Sequence, residues 1–351
     1  MPPAAPVIRH VRPAKANRSL MGPLSGWGPP KLRPMTAPRS VGPTVESQAV
    51  LAPLTDAAIF LVATVRPGGE QTIRDLLEDL GGLQRTVGFR LPAAQLSCVT
   101  GIGSDLWDRL FPTGPRPAEL HRFRAWTGPA HSAPSTPGDL LFHIRAGQMD
   151  VCFELAGKIA QRLRGAGDIV DETHGFKYFD ERDLLGFVDG TENPTGNKAR
   201  DAAIVGDEDE PFAGGSYVMV QKYLHDLDAW NALKVEEQEA AIGRTKLDNA
   251  EIPDDAKAPN SHLALNVVED ADGRELKILR DNMPFGSVKD GEFGTYYIAY
   301  AATPDVPELM LRRMFLGEPY GTYDRILDFS TAVTGSLFYA PTADFLDDLP
   351  R

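Results

Sequence analysis

The sequence predicts an α+β fold. Apolar runs of strand length recur along it, segments of helical period stand between them, and the order suits antiparallel more than parallel pairing. With 351 residues, 42% of them hydrophobic, the chain can bury one large core or two of ordinary size.

Residues 57–65 (AAIFLVATV) form a continuous apolar run, which predicts a central strand buried on both faces. Gly68-Gly69 breaks it, and Ile73, Leu76, Leu77 and Leu80 then give the spacing of a helix over 72–80. A second strand is expected at 96–100. Ser104 suits the N-cap of a helix carrying Leu106, Trp107, Leu110 and Phe111. The Pro-, Ser- and Gly-rich stretch 112–137 predicts a long loop, 140–145 a strand and 149–163 an amphipathic helix. The second half has the same rhythm: a strand at 216–224, short helices at 226–233 and 235–242, and a polar surface excursion over 243–260. Strands follow at 276–282 and 293–300, then a helix at 304–315. The two halves show no clear internal identity.

Charge excludes some functions. The net charge is −13, but residues 1–40 hold seven Lys/Arg and no acid, which leaves 29 basic against 49 acidic residues in the body, about −20. A body this acidic is a poor surface for nucleic-acid phosphates. No run of 18 apolar residues is present to span a membrane. Cys98 and Cys152 both sit in apolar segments and read as buried thiols of a reducing compartment, so a cytoplasmic location is expected. No Cys-x-x-Cys-His occurs for covalent haem attachment. Residues 1–48, rich in Pro and Arg, read as a disordered tail. They lack the apolar region of a secretory signal and the arginine pair of twin-arginine export, and Met21 or Met35 could be the true start.

The stretch Gly186-Phe187-Val188-Asp189-Gly190-Thr191-Glu192-Asn193-Pro194 stands apart. Two glycines that tolerate positive φ bracket a carboxylate carried among apolar residues. A Gly-Asp turn closed by Asn-Pro would have the same residues. Seven histidines could each serve as an imidazole donor: His10 in the tail, His121 and His131 in the loop, His143 in mid-strand, where a satisfied core residue is the natural reading, His174, His225 and His262. Composition does not choose among them. Arg280 and Asn282 share one face of a predicted strand with Leu276 and Ile278, an apolar strip that ends in a guanidinium and an amide.

Together these segments resemble the dye-decolorising peroxidases, a family of haem enzymes. The match rests on Gly186–Pro194, on Asn260-Ser261-His262, on Arg280-Asp281-Asn282-Met283-Pro284-Phe285-Gly286 and on Asp324-Arg325-Ile326-Leu327-Asp328-Phe329-Ser330, in the family's order from about Val50 to Leu349. Its compactness points to the bacterial B-type branch. The resemblance implies two ferredoxin-like halves, residues 49–175 and 176–351, each an antiparallel sheet with flanking helices in a dimeric α+β barrel-like arrangement. One non-covalent haem b would lie in the C-terminal half. It implies His262 as proximal ligand of the haem iron, supported by Asp324 or, in its place, Asp328. Either aspartate would equally serve as a helix cap or a surface charge. Asp189 is then the proton acceptor for H2O2, Arg280 the fixed cation near the haem and the leaving oxygen, and Asn282 an orienting amide. Gly190 and Phe285 are expected to line the cofactor.

Electrons would come from dyes, phenols or other aromatic donors through a high-valent iron, by way of the haem edge or surface residues. Tyr217, Tyr223, Tyr296, Tyr297, Tyr320, Tyr339 and Trp230 could relay them or simply pack the core. Glu192, Glu251 and Glu275 could form an acidic edge that draws Mn2+, or be solvated surface charge. Association with like chains is expected. No C-terminal extension of the kind that loads relatives into encapsulin shells is visible. A haem-handling protein and a chlorite-dismutase-like enzyme are the alternatives; a carrier needs His262 but no distal carboxylate, and the chlorite-converting relatives lack the Gly-x-x-Asp-Gly carboxylate.

Overall fold

The structure, a computed structural model, describes residues 46–350. The expected tail, 1–48, thus lies outside the described residues except for its last three, and these are tied to the fold. The Glu46 N–H donates to the Asp344 carboxylate at 3.0 Å, and the Gln48 amide donates to the carbonyls of Thr100 and Pro341 at 2.8 Å each.

In the first half, strand β1 (Ala57–Val65) leads to helix α1 (Glu70–Gly88), β2 (Ser97–Gly103) and α2 (Ser104–Leu110). The long loop carries a small ladder, β3 (Trp126–Thr127) with β4 (Ser132–Ala133), before β5 (Leu140–Ala146), α3 (Met149–Leu163) and β6 (Gly167–Phe176). The second half runs α4 (Asn197–Ala203), β7 (Ser216–His225), α5 (Leu227–Ala232), α6 (Val235–Ile242) and α7 (His262–Asn266). It continues through β8 (Val268–Glu269), β9 (Glu275–Leu276), β10 (Leu279–Arg280), β11 (Met283–Ser287), β12 (Glu292–Ala301) and α8 (Asp305–Leu316). It closes with β13 (Ser330–Ala332), β14 (Ser336–Ala340) and α9 (Ala343–Asp347). No described helix is long and apolar enough to cross a membrane.

Ten strands join one antiparallel sheet in the order β10-β12-β7-β14-β2-β5-β1-β6, with β11 also on β12 and β13 also on β7. The expected α+β class with antiparallel strands and flanking helices is what the chain adopts. It does not close into a barrel: β6 and β10 end the sheet unpaired with each other.

The apolar run of β1 is explained by its two neighbours. Ile59, Leu61 and Ala63 pack with Leu76, Leu77 and Ile159 of α1 and α3. Ala58, Phe60 and Val62 face the other way and pack with Val218, Val220 and Ile298 of β7 and β12. The two ends of the sheet thus lie face to face, and Phe60 stacks on Tyr296 with ring centroids 4.0 Å apart. This leaves the opposite face of β7 and β12 for α8 and the site.

Two sequence expectations are corrected. Ser104 is not an N-cap; Gly103 holds that place, and the Ser104 hydroxyl instead accepts from Arg116 at 2.7 Å. The single strand expected over 276–282 is broken into β9 and β10 and stops at Arg280. The break follows from a change of partner, since β9 pairs with β8 and β10 with β12, and the stop after Arg280 comes from Asn282. Its side-chain oxygen accepts the Ile298 N–H at 3.0 Å, the donor that a regular antiparallel ladder would give to the Asp281 carbonyl.

Candidate functional site

The site is a cleft between the outer face of β7 and β12, helices α7 and α8, and the 183–192 segment. It encloses about 1420 Å³ of empty space, open solvent at its mouth included, and every residue that lines it lies between 183 and 330. Its walls are mainly apolar, with Phe187, Ile242, Leu276, Ile278, Met310 and Met314 among them. Asp189, His262, Arg280 and Asn282 converge on it.

His262 opens α7, whose N-cap is Ser261, with its hydroxyl accepting the Ala264 N–H at 3.3 Å. Its Nδ1 donates to Asp324 Oδ2 at 2.7 Å. Asp324 is fully buried, and its other oxygen accepts the Ile326 N–H at 3.0 Å. One carboxylate thus caps a helical turn and holds the imidazole, and it is not a surface charge. Asp328 does neither; it bonds His131 Nε2 at 3.0 Å and the Tyr323 hydroxyl at 3.1 Å. The Asn260 carbonyl accepts the Arg325 N–H at 3.1 Å, which fixes the Asp324 segment against α7. With Nδ1 committed, His262 Nε2 makes no hydrogen bond among the described residues and is left as a donor of electrons to a metal.

On the distal side, Leu276, Ile278, Arg280 and Asn282 all reach the cleft, as the parity of the sequence requires even though the strand is interrupted. Asn282 donates to Asp189 Oδ2 at 3.0 Å. The Arg280 guanidinium makes no hydrogen bond or ion pair among the described residues. Its backbone is clamped by Asn193, which accepts from the Arg280 N–H at 2.9 Å and donates to its carbonyl at 2.7 Å.

The loop that carries Asp189 is built by hydrogen bonds around two glycines with positive φ, Gly186 at 92° and Gly190 at 76°. Asp183 accepts the Phe187 N–H at 2.9 Å, the Asp189 N–H reaches the Glu181 carbonyl at 2.9 Å, and Asp189 Oδ1 accepts the Gly190 N–H at 2.6 Å. Burial pushes the Asp183 carboxyl up to about 7, helped by the Asp189 charge and opposed by the Phe187 N–H.

Not every expected residue arrives. Phe285 does not line the cleft; it is buried between the two faces of the sheet, over Gly294, where a Cβ would stand 2.6 Å from its ring. Gly190 turns toward a smaller pocket behind Asp189, Arg280 and Asn282. Glu192 and Glu275 are at the cleft, but their charges are taken. Glu192 binds Arg244 and, at 3.0 Å, Lys277, which also binds Glu275 at 2.5 Å. Burial works against the Glu192 charge, yet Lys277 and Arg244 hold its carboxyl below the usual range. Glu251 pairs with Lys257 at 2.5 Å and does not line the cleft.

The other described histidines have partners. His143 is a core residue whose Nδ1 meets the Tyr300 hydroxyl at 2.7 Å, and burial with the nearby Arg145 charge pushes its pKa well down. His225 ends β7 and lines the cleft. Ser330 and Thr295 engage its two nitrogens at 2.8 and 2.9 Å, and burial lowers it to about 4. His225 was one of the seven candidate imidazoles, whereas the part Asn193 plays at the site was missed by sequence reasoning. Asn193 was visible only as the turn residue before Pro194, and no local pattern reveals that its amide reaches 87 residues along the chain.

A haem fits these residues by the chemistry of the donors. One apolar cleft holds an imidazole nitrogen and a guanidinium without partners among the described residues, a carboxylate behind that imidazole, and a second carboxylate.

Comparison with known proteins gives the same direction. Family models for the Dyp-type peroxidase N-terminal and C-terminal regions match residues 47–177 and 180–345. The chain is 64% identical over 303 residues to a dye-decolorizing peroxidase of Rhodococcus erythropolis, covering 86% of this chain and 89% of that one. Among solved structures, the encapsulated DyP-type peroxidase from Mycobacterium smegmatis superposes with a TM-score of 0.86 at 65% identity, covering 88% and 99% of the two chains. A DypB variant from Rhodococcus jostii RHA1 in complex with heme gives 0.84 at 57% identity, covering 86% and 97%. A DypB variant in complex with manganese gives the same score and identity, covering 86% and 98%.

Proposed function

Because this chain belongs to the Dyp-type peroxidase family and is a haem peroxidase, we propose that Asp189, Arg280, Asn282 and His262 divide the work of reducing H2O2. The observation that carries this reading is that His262 Nε2 and the Arg280 guanidinium have no partner among the described residues and line one cleft. His262 holds the haem iron, and the buried Asp324 charge on Nδ1 raises the basicity of that ligand. When bound, haem supplies the electrons that cleave the O–O bond.

Asp189 accepts the proton from the inner oxygen of H2O2 and returns it to the outer oxygen, which leaves as water. Asn282 fixes the orientation of that carboxylate through its 3.0 Å hydrogen bond. Arg280 stays charged at any working pH and offsets the negative charge on the departing oxygen. A haem-handling protein would need His262 but would have no use for a carboxylate braced in this way.

The reducing substrates we propose are dyes, phenols and other aromatic donors that deliver electrons at the haem edge, with Tyr223 and Tyr297 in the cleft wall. Mn2+ would have to compete with Arg244 and Lys277 for Glu192, which favours the aromatic donors. Cys98 and Cys152, both buried and unpaired, support work in a reducing compartment such as the cytoplasm. We also propose that the chain associates with like chains.

The test is an absorption spectrum of the purified protein before and after one equivalent of H2O2, then after a phenol or an anthraquinone dye. The Soret band should shift with peroxide and return with the donor. A haem-loaded protein that does not respond to peroxide would contradict the reading.

A further inference from the structure

Asp281 lies between the two distal residues and points the other way. Arg280 and Asn282 reach the cleft, while Asp281 is 2% exposed inside the space where the two ends of the sheet meet face to face. There it pairs with Arg145 of β5, itself 1% exposed, and His143 Nε2 stands 3.8 Å from the same oxygen. The other oxygen of Asp281 has no hydrogen-bond partner, so the guanidinium is what holds the carboxylate. Arg145 is held in turn by the Ala49 carbonyl and by the Ser97 hydroxyl at 3.3 Å.

A buried ion pair is a poor device for stability. Both charges lose their hydration, and well-packed apolar residues of the same volume often do as well or better. What such a pair fixes is position. Neighbouring residues of an extended segment face opposite ways, so a slip of one residue would turn Arg280 and Asn282 into the core. The pair acts where the ladder to β12 is interrupted, between β10 and β11: there the Asn282 side chain has replaced the Asp281 carbonyl as acceptor of the Ile298 N–H, and only the Asp281 N–H still bonds across, to the Ile298 carbonyl at 3.1 Å.

We propose that the Arg145–Asp281 ion pair is a positioning device for the peroxide site: the N-terminal half of the chain, which contributes no lining residue to the cleft, sets the distal residues through it. This rests on the roles given above to Arg280 and Asn282. Asp281 and Arg145 touch neither haem nor peroxide; they act through their neighbours.

The test uses the holoenzyme with Arg145→Met and Asp281→Leu combined, which removes both charges and leaves the space filled by apolar side chains, and with Asp281→Asn as the milder, isosteric variant should the double one not fold. Hydrogen exchange at the amides of Arg280, Asp281 and Ile298 should quicken at least tenfold. The stopped-flow rate with H2O2 should fall about tenfold, while haem content stays as in the wild type. On an Arg280→Leu, Asn282→Ala background the same changes should cost little more, because both positioned groups are already gone. Unchanged exchange, or a full tenfold loss on that background, overturns the positioning role. If Asn282→Ala and Arg280→Leu react at the wild-type rate, it is the reading of the distal site that fails, whatever the exchange shows.

Discussion

Asn282 and Asp189, 93 residues apart in the chain, are joined by a hydrogen bond of 3.0 Å from the amide nitrogen to Oδ2. The same side chain accepts the Ile298 N–H through its oxygen, also at 3.0 Å. An amide fixed at its oxygen by the sheet cannot turn, so its N–H2 is aimed at Asp189 before any ligand arrives. Asp189 is therefore oriented from two sides, by Asn282 and by the Gly190 N–H on Oδ1. In the role proposed for Asp189, a carboxylate already in place spares the cost of ordering it during the step.

Replacing that amide should affect rate and stability separately. Asn282→Ala frees Asp189 and leaves the Ile298 N–H without an acceptor. Loss of a buried partner costs about 1–3 kcal/mol of stability, and the reaction with H2O2 should slow roughly tenfold as the carboxylate loses its aim. Stopped-flow and denaturant unfolding of the same preparation read the two effects. A variant as fast as the wild type would show that Asp189 needs no orienting partner.

The proximal pair can be tested by charge alone. His262→Ala should abolish the Soret band and turnover in a folded chain. Asp324→Asn keeps an oxygen that can still accept from His262 Nδ1 but removes the buried charge behind the ligand. It should weaken haem affinity by roughly 10–100-fold and raise the midpoint potential of the iron. A potential unchanged by Asp324→Asn would confine this residue to its cap on the Ile326 N–H.

Much of this was legible in the sequence, for reasons that can be named. The β1 run 57–65 and the helix 149–163 were readable because their pattern matches the burial of a strand covered on both faces and of a helix covered on one. The parity of 276, 278, 280 and 282 survived a strand break because extended chain alternates with or without ladder bonds. What was hidden was long-range. Asn193 clamps Arg280, Asp281 meets Arg145, and Phe285 turns into the core because Gly294 makes room for its ring. Helical period could not extend α1 to residue 88, since Gly81 and Gly82 interrupt the pattern; beyond them Val87 is buried and the Gln84 amide donates to the Leu96 carbonyl at 3.2 Å.

His225 gives a pH dependence with a definite sign. Burial lowers its folded-state value to about 4, against an ordinary 6.5 in the unfolded chain. Between those values the unfolded chain takes up a proton that the folded chain refuses, so stability should fall as pH drops from 6.5 toward 4. The full span corresponds to about 3 kcal/mol. His225→Gln, neutral throughout, should lack this slope. Thermal unfolding of both proteins across pH 4–8 isolates the difference, and parallel curves would mean that His225 keeps its proton equally well in both states.

The sharpest test separates Asp189 from Arg280. Asp189→Asn keeps the size of the side chain and removes the base; Arg280→Leu removes the charge that faces the departing oxygen. Loss of a general base costs about 10²–10⁴ in rate, and loss of one electrostatic group about 10²–10³. The ranges overlap, so the size of the loss does not rank the two residues. The peroxide itself can. A base is needed only while H2O2 carries both protons. As pH rises toward the ionisation of peroxide, the reacting species arrives already deprotonated, and Asp189→Asn should regain much of its rate. Arg280→Leu should not recover, because the charge that develops on the leaving oxygen is the same whichever species binds. Stopped-flow rates of the haem change with H2O2 from neutral to alkaline pH give both profiles. If Asp189→Asn reacts at the wild-type rate at every pH, the carboxylate is not the base and Arg280 carries the step.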